Sequence, residues 1–396
     1  MIIIFHSFLF LFIIYLNGFI FLKNILKFKK VQNFYEVSII GLVVTIIVAQ
    51  FLNFFIPLND FLVILNIFLL LFYIVFFRKN FKIDKKVDFK ILSILLILSF
   101  LNIYGSNFSD DLNHYHYSSI SNADSNNFIW GLNFLHPLYG TSSSWLIGHS
   151  YFNFEEYRLQ DIHVLNGIIF FLVIGCFFAE LYSSNKKKIY HPIFFSILLF
   201  ILLKYTRLKE FGIDRPSTLI FCFLIYFYLK YFIKIEKKEI TQNFIIVTLL
   251  SLFLFSTKII HLPILLIPLF ILYKNKSNLL KDDKKYLIIL LPIFVLILKN
   301  LLGTGCFFYP VEITCTEYLP WTDRAGVREF VLSSEIFNKS WHSYKGGLSG
   351  EEYIQNFNWI TTWYLRIQSE IIEIFLTLTL IIVFSFFIFD LKSKKL

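Results

Sequence analysis

The sequence predicts an all-α protein: a polytopic transmembrane helix bundle of about eleven spans, with two large external loops containing short interfacial helices. Three observations predict it. Apolar residues make up 57% of the 396-residue chain and charged residues only 16%, with a mean hydropathy of +0.67, which is more than a soluble core of this length needs. Many apolar runs reach membrane-spanning length. Lysine clusters recur between those runs at alternate gaps, as the positive-inside bias requires. The formal net charge of +10 sits mostly in those short clusters. Positive-inside bias and anionic lipid account for it, which excludes nucleic acid as a partner.

Taken in order, apolar runs fall at about 2–22, 36–56, 61–77, 91–104, 162–182, 191–203, 216–233, 244–257, 259–273, 286–302 and 368–389. The first lacks the basic start and small-residue cleavage site of a signal peptide, so it is expected to remain as a span. Basic clusters at Lys23 to Lys30, Arg78 to Lys90, Lys186 to Lys188, Lys234 to Lys238, Lys274 to Lys285 and Lys392 to Lys395 are each two crossings apart. That parity makes 191–203 and 216–233 separate spans joined by an outer turn at 204–215. It also makes 244–257 and 259–273 a hairpin around Lys258. The amino terminus is then outside and the carboxyl terminus inside. The expected organisation is three N-terminal helices over 1–90 and a core over 91–396, with external loops at 105–161 and 303–366.

The first loop is a polar island that holds five of the nine histidines between His114 and His163. Ser109 is placed to cap a helix beginning with Asp110 and Asp111, where carboxylates suit the positive helix end. On that helix Asp110, His114 and Tyr117 share one face, and Asp111, Tyr115 and Ser118 share the next. The polar stretch 121–127 is expected to end it. Segments 128–134 and 139–154 then read as aromatic stretches in the headgroup region, anchored by Trp130 and Trp145. The Asp110–Asp111 pair beside His114 and His116 offers a general base for a hydroxyl acceptor or ligands for a divalent ion. The plainer reading of the pair is a helix start.

Cations outside the lysine clusters form a second signal. Lys204, Arg207, Lys209, Arg215, Lys258 and Lys299 are expected to approach the same leaflet as the acidic loop, where a lipid phosphate or pyrophosphate would be a matching anion. Snorkelling to headgroups is the alternative. In the second loop, Cys306 and Cys315 flank FFYPVEIT and suit a disulfide in an oxidising compartment. Trp321, Trp341, Trp359 and Trp363 are suited to stacking on a sugar or to anchoring at the interface.

The layout resembles the GT-C class of integral membrane glycosyltransferases. The blocks Asp110-Asp111-Leu-Asn-His-Tyr-His, Leu135-His136-Pro, Gly140-Thr-Ser-Ser-Ser-Trp145, Lys209-Glu-Phe-Gly-Ile-Asp214-Arg-Pro-Ser217 and Gly303-Thr-Gly-Cys-Phe-Phe-Tyr-Pro310 also resemble those of a poorly characterised family of bacterial polytopic membrane proteins. The resemblance implies a multi-pass enzyme of the bacterial cytoplasmic membrane acting in cell-envelope biogenesis. It would move a sugar from a polyprenyl-phosphate donor to a surface lipid or glycan acceptor. Catalytic roles would fall to Asp110, Asp111 and His114, and binding roles to His116, His136, Lys204, Arg207, Lys209, Arg215, Lys258 and Tyr309. No cofactor is required and no metal ligands are assigned, although Mg²⁺ or Mn²⁺ would suit the acidic pair. The class usually places its acidic loop after the first span, whereas here three further spans precede the one that leads into it. The alternatives are an O-antigen-type polymerase or ligase and a lipid-linked-sugar flippase or transporter.

Overall fold

A computed structural model describes residues 2–28, 33–77, 89–104, 111–141, 143–152, 163–183, 188–204, 212–232, 239–279, 286–339 and 347–393. Among them the protein is helical, with no β-strand; the one bridge pairs Cys306 with Cys315. The helices before the first loop are α1 (Ile2–Ile20), α2 (Phe34–Asn53), α3 (Asp60–Phe77) and α4 (Phe89–Tyr104). Within that loop come α5 (Tyr117–Ser125), α6 (Pro137–Gly140) and α7 (Ser144–Tyr151). Next are α8 (His163–Ser183), α9 (His191–Leu203), α10 (Asp214–Phe232), α11 (Ile240–Thr257), α12 (Leu266–Leu279) and α13 (Leu287–Thr304). The chain closes with α14 (Arg324–Asn338), α15 (Gly350–Ile354) and α16 (Trp359–Ser393).

Every apolar run of the sequence falls on a helix, and seven described helices are long and apolar enough to cross a membrane. The 13 residues of α9 reach only about 20 Å at 1.5 Å per residue, short of a hydrocarbon core of about 30 Å. Lys258 does break the chain as expected. It caps α11 in extended backbone, a 3₁₀ segment Ile259–Leu265 follows, and α12 folds back on α11.

The residues form two compact units. One comprises Met1–Phe128 with Ser142–Leu296, and the other Ile129–Thr141 with Ile297–Leu396. In the first of these α1 and α2 pack on α8. In this first unit α1 and α2 touch backbone to backbone. A Cβ on Gly41 would lie 1.8 Å from the Ile14 carbonyl oxygen, and one on Gly18 would lie 2.0 Å from that of Val37. Only glycine permits this approach.

The two ends of the first unit are distinct. At one end Asn53 of α2 accepts from the Phe128 N–H at 2.7 Å, and the Leu58 N–H ahead of α3 donates to Ala123 at 2.8 Å. The start of α10 meets the end of α11 at this end as well. At the other end Asn24, just after α1, donates to Tyr73 of α3, and the start of α2 meets the ends of α8 and α10. This is the alternation that the lysine clusters require for α2, α3, α8 and α10.

The second unit is built around the end of α13. The Gly131 N–H donates to Leu302 at 2.9 Å, and the Trp321 indole N–H donates to Leu301 at 3.1 Å. The Cys306–Cys315 disulfide closes the turn between them. Asp323 caps α14, and Ser349 with Glu352 forms a capping box on α15.

Gly41→Leu should lose folded protein or fall sharply in thermal stability in detergent, whereas Gly212→Ala, with open space around it, should be neutral. Equal behaviour of the two variants would contradict the close approach of α1 and α2. A membrane-impermeant thiol reagent should label Asn126→Cys and Ile189→Cys from opposite faces of sealed vesicles. Labelling of both from one face would break the end assignment.

Candidate functional site

The site begins at Asp111, where the described part of the first loop enters a helix. Leu112–His116 forms one wide turn whose closing bond runs from the Tyr117 N–H to the Leu112 carbonyl, and α5 continues from it to Ser125. The helix therefore runs through most of the polar stretch expected to end it. Its wide turn sets Leu112, His116 and Ile120 inward, with Leu112 and Ile120 packed on Leu146 and Ile213. Asp111, His114 and Tyr117 stand on the exposed side. Wide turns of this kind recur at functional sites because they re-aim side chains.

Two further helix ends complete the site. Asp214 opens α10 and Lys258 closes α11, and their side chains form an ion pair. The charges of Asp111 and Asp214 both reach Tyr115 and His116. Burial, then Asp111 and Asp214, push the Tyr115 phenol up to about 12. Burial lowers His116 below the usual imidazole range; Asp111 and Asp214 oppose the shift and Lys258 adds to it. Near neutral pH the site thus presents a neutral imidazole and a protonated phenol beside Asp111, Asp214 and Lys258.

Beneath this surface lies α7, every residue of which is buried. The sequence reading placed this stretch among the headgroups with Trp145 as an anchor; instead Trp145 is fully buried. Its indole N–H donates to Asn166 of α8 at 2.9 Å. Ser144 lies 3.0 Å from the side-chain amide oxygen of Gln50 in α2 and 2.7 Å from the Ser256 hydroxyl of α11. The Tyr151 hydroxyl accepts from Asn66 of α3 at 2.7 Å, and Ser150 donates to the Ile120 carbonyl of α5 at 2.9 Å. Polar partners from five helices replace the water that α7 gives up. His149 of α7 is pushed down to about 3 by burial, with His163 and His116 adding to the fall and Asn166 opposing it.

Not every expected residue joins this site. Asp111, His116 and Lys258 are brought together, while His114 stays on the exposed side of the turn. Lys204 caps the end of α9, and Arg215 follows Asp214 in α10. Ser109, Asp110, Arg207, Lys209 and Trp341 lie outside the described residues. His136 and Tyr309 belong to the second unit. His136 caps α6 by accepting from the Leu138 N–H at 3.2 Å. Tyr309 is buried, its hydroxyl donates to the Pro137 carbonyl at 3.0 Å, and its ring stacks on Phe330. Tyr115 and Asp214 were the residues that sequence reasoning missed. Asp214 stands inside the block from Lys209 to Ser217, in which the sequence singles out Lys209 and Arg215 as binding residues.

Among the described residues, no group of three or more His, Cys, Asp or Glu side chains is placed to hold a metal ion. The family model described as Domain of unknown function (DUF8201) matches residues 1–396. The chain belongs to this family. No curated protein and no solved structure matches it.

The DUF8201 chain also carries charge at the opposite end of its first unit. Glu36 is fully buried and accepts from Lys230 at 2.5 Å and from the Tyr226 and Tyr231 hydroxyls at 2.6 Å each. Lys230 also reaches Glu180 at 2.9 Å, which Lys188 meets at 2.5 Å. Two carboxylates are matched by two ammonium groups, as burial demands.

His116 and His149 make stability depend on pH. Both fold with imidazoles below the unfolded value of 6.5, so as the pH falls the unfolded chain takes up protons first. Their contribution is complete above about pH 6.5 and is lost as the pH falls, for His149 toward about pH 3, at up to about 1.4 kcal/mol per pH unit for each imidazole. Melting temperature in detergent should therefore fall between about pH 6.5 and about pH 4.5, less steeply in His149→Asn. A flat profile would show that these imidazoles are not held neutral.

Proposed function

We propose that the protein is a membrane glycosyltransferase that moves a sugar from a polyprenyl-phosphate donor to a lipid or glycan acceptor outside the bacterial cytoplasmic membrane. One observation supports this most: Asp111, Tyr115, His116, Asp214 and Lys258, drawn from three parts of the chain, share one electrostatic neighbourhood at one end of a helix bundle. Sugar transfer from a lipid phosphate needs a base for the acceptor hydroxyl, a cation for the departing phosphate, and polar groups that orient the sugar. That set contains all three.

In this reading the acceptor oxygen forms a bond to the anomeric carbon as the bond from that carbon to the phosphate oxygen breaks. The bonding pair leaves with the lipid phosphate, and the acceptor proton passes to a carboxylate. Lys258 meets the phosphate, with Lys204, Arg207, Lys209 and Arg215 on the same side of the membrane. Asp111 takes the proton, with Asp110 as its sequence neighbour and second candidate. His116, held neutral, hydrogen-bonds the sugar or acceptor. Catalysis comes from position and charge, since a lipid phosphate already leaves well. No step is assigned to a divalent cation.

The buried Glu36–Lys230–Glu180 network favours a second reading, a transporter of lipid-linked sugars, because ionisable groups inside a bundle often mark a transport path. Yet these charges satisfy one another, so none is left over for a substrate.

Purified protein incubated with a panel of polyprenyl-phosphate sugars should release lipid phosphate when a suitable acceptor is present. Asp111→Asn should lower turnover by roughly 10² to 10⁴ with donor binding largely kept. No release from any donor, or full activity in the Asp110→Asn/Asp111→Asn double variant, would remove this mechanism.

A further inference from the structure

We propose that the Lys258–Asp214 ion pair is an exchangeable latch: a phosphate carried on an apolar chain takes the place of Asp214 on the Lys258 ammonium, and the released carboxylate turns to Tyr115 and His116. The identity of the anion rests on the transferase reading; the exchange itself rests on the geometry. Lys258 ends α11, a helix long and apolar enough to cross a membrane, and Asp214 begins α10, so the pair stands at a bundle end that a lipid headgroup would reach. Both partners are open to solvent, with 39% of the Lys258 side chain and 61% of the Asp214 side chain exposed. A pair so exposed is weak, and a phosphate, with up to two charges and several acceptor oxygens, competes well for an ammonium.

Asp214 also has somewhere to go. Its charge already acts on Tyr115 and His116, and that of Lys258 acts on His116 and on His261. Without ligand, cation and carboxylate neutralise one another at the membrane surface. With the anion seated, the carboxylate is released on the side where Asp111 stands. Binding of the donor and exposure of a second carboxylate thus become one event.

The test is a binding measurement that needs no turnover. Isothermal titration of geranyl phosphate and of inorganic phosphate into detergent-purified protein at low salt should show saturable binding, tighter for geranyl phosphate. Asp214→Asn should bind geranyl phosphate about three- to tenfold more tightly, since the competing carboxylate is gone. Lys258→Met should lose at least about tenfold. The gain from Asp214→Asn should shrink when Lys258→Met is already present, because the latch requires both partners. If Asp214→Asn does not fold, Asp214→Ser removes the same charge through another good cap of a helix start.

Unchanged or weaker binding in a folded Asp214 variant overturns the exchange, as does unchanged binding in Lys258→Met. Equal affinity for the two probes overturns its lipid-borne form. Absence of sugar transfer with the binding pattern intact would sink the transferase reading and leave the latch standing.

Discussion

Burial of α7 is the constraint on which the rest of the first unit depends. An eight-residue helix cannot cross a bilayer, and its open ends and polar side chains cannot face hydrocarbon. It is held because Gln50, Asn66, Asn166 and Ser256 bring hydrogen-bonding groups to it from four long helices. Each partner lies within about two turns of its own helix end, at the same end of the unit. The requirement to satisfy α7 therefore gathers those helix ends. Asp214 and Lys258 meet there as a result.

The same burial shapes the chemistry above it. Leu146 of α7 packs under Leu112 and Ile120, which fixes the inward face of the wide turn and so the direction of His116. Burial, with the charge of nearby His163 adding to it, holds His149 neutral. The result is a neutral layer under a charged surface. It leaves Lys258 as the cation opposite Asp214 and avoids burying an uncompensated charge.

At the opposite end, the Glu36–Lys230–Glu180 network ties α2, α8 and α10 by charge instead of by neutral hydrogen bonds. Together with the glycine contact between α1 and α2, it pins the unit where the basic loops emerge. The two ends thus differ in kind. One is matched charge sealed by tyrosines, and the other is a solvent-reached cluster with a weak ion pair.

The sequence by itself determined the helical class, the positions of the apolar runs, the break at Lys258 and the Cys306–Cys315 bridge. These follow from hydropathy, charge spacing and local loop chemistry, which act over short distances. It also pointed to Asp111, His116 and Lys258, because charges near span ends are costly and therefore conspicuous. Tertiary structure alone decided that Trp145 is buried and not an anchor, since an amphipathic aromatic suits either place until Asn166 supplies a partner. It alone paired Asp214 with Lys258 and set Tyr309 to holding Pro137. It alone turned His114 outward and His116 inward, because one wide turn changes which residues share a face and no local periodicity announces it. Contacts between residues far apart in the chain depend on which helix ends converge, and that is fixed by satisfying the polar groups of α7.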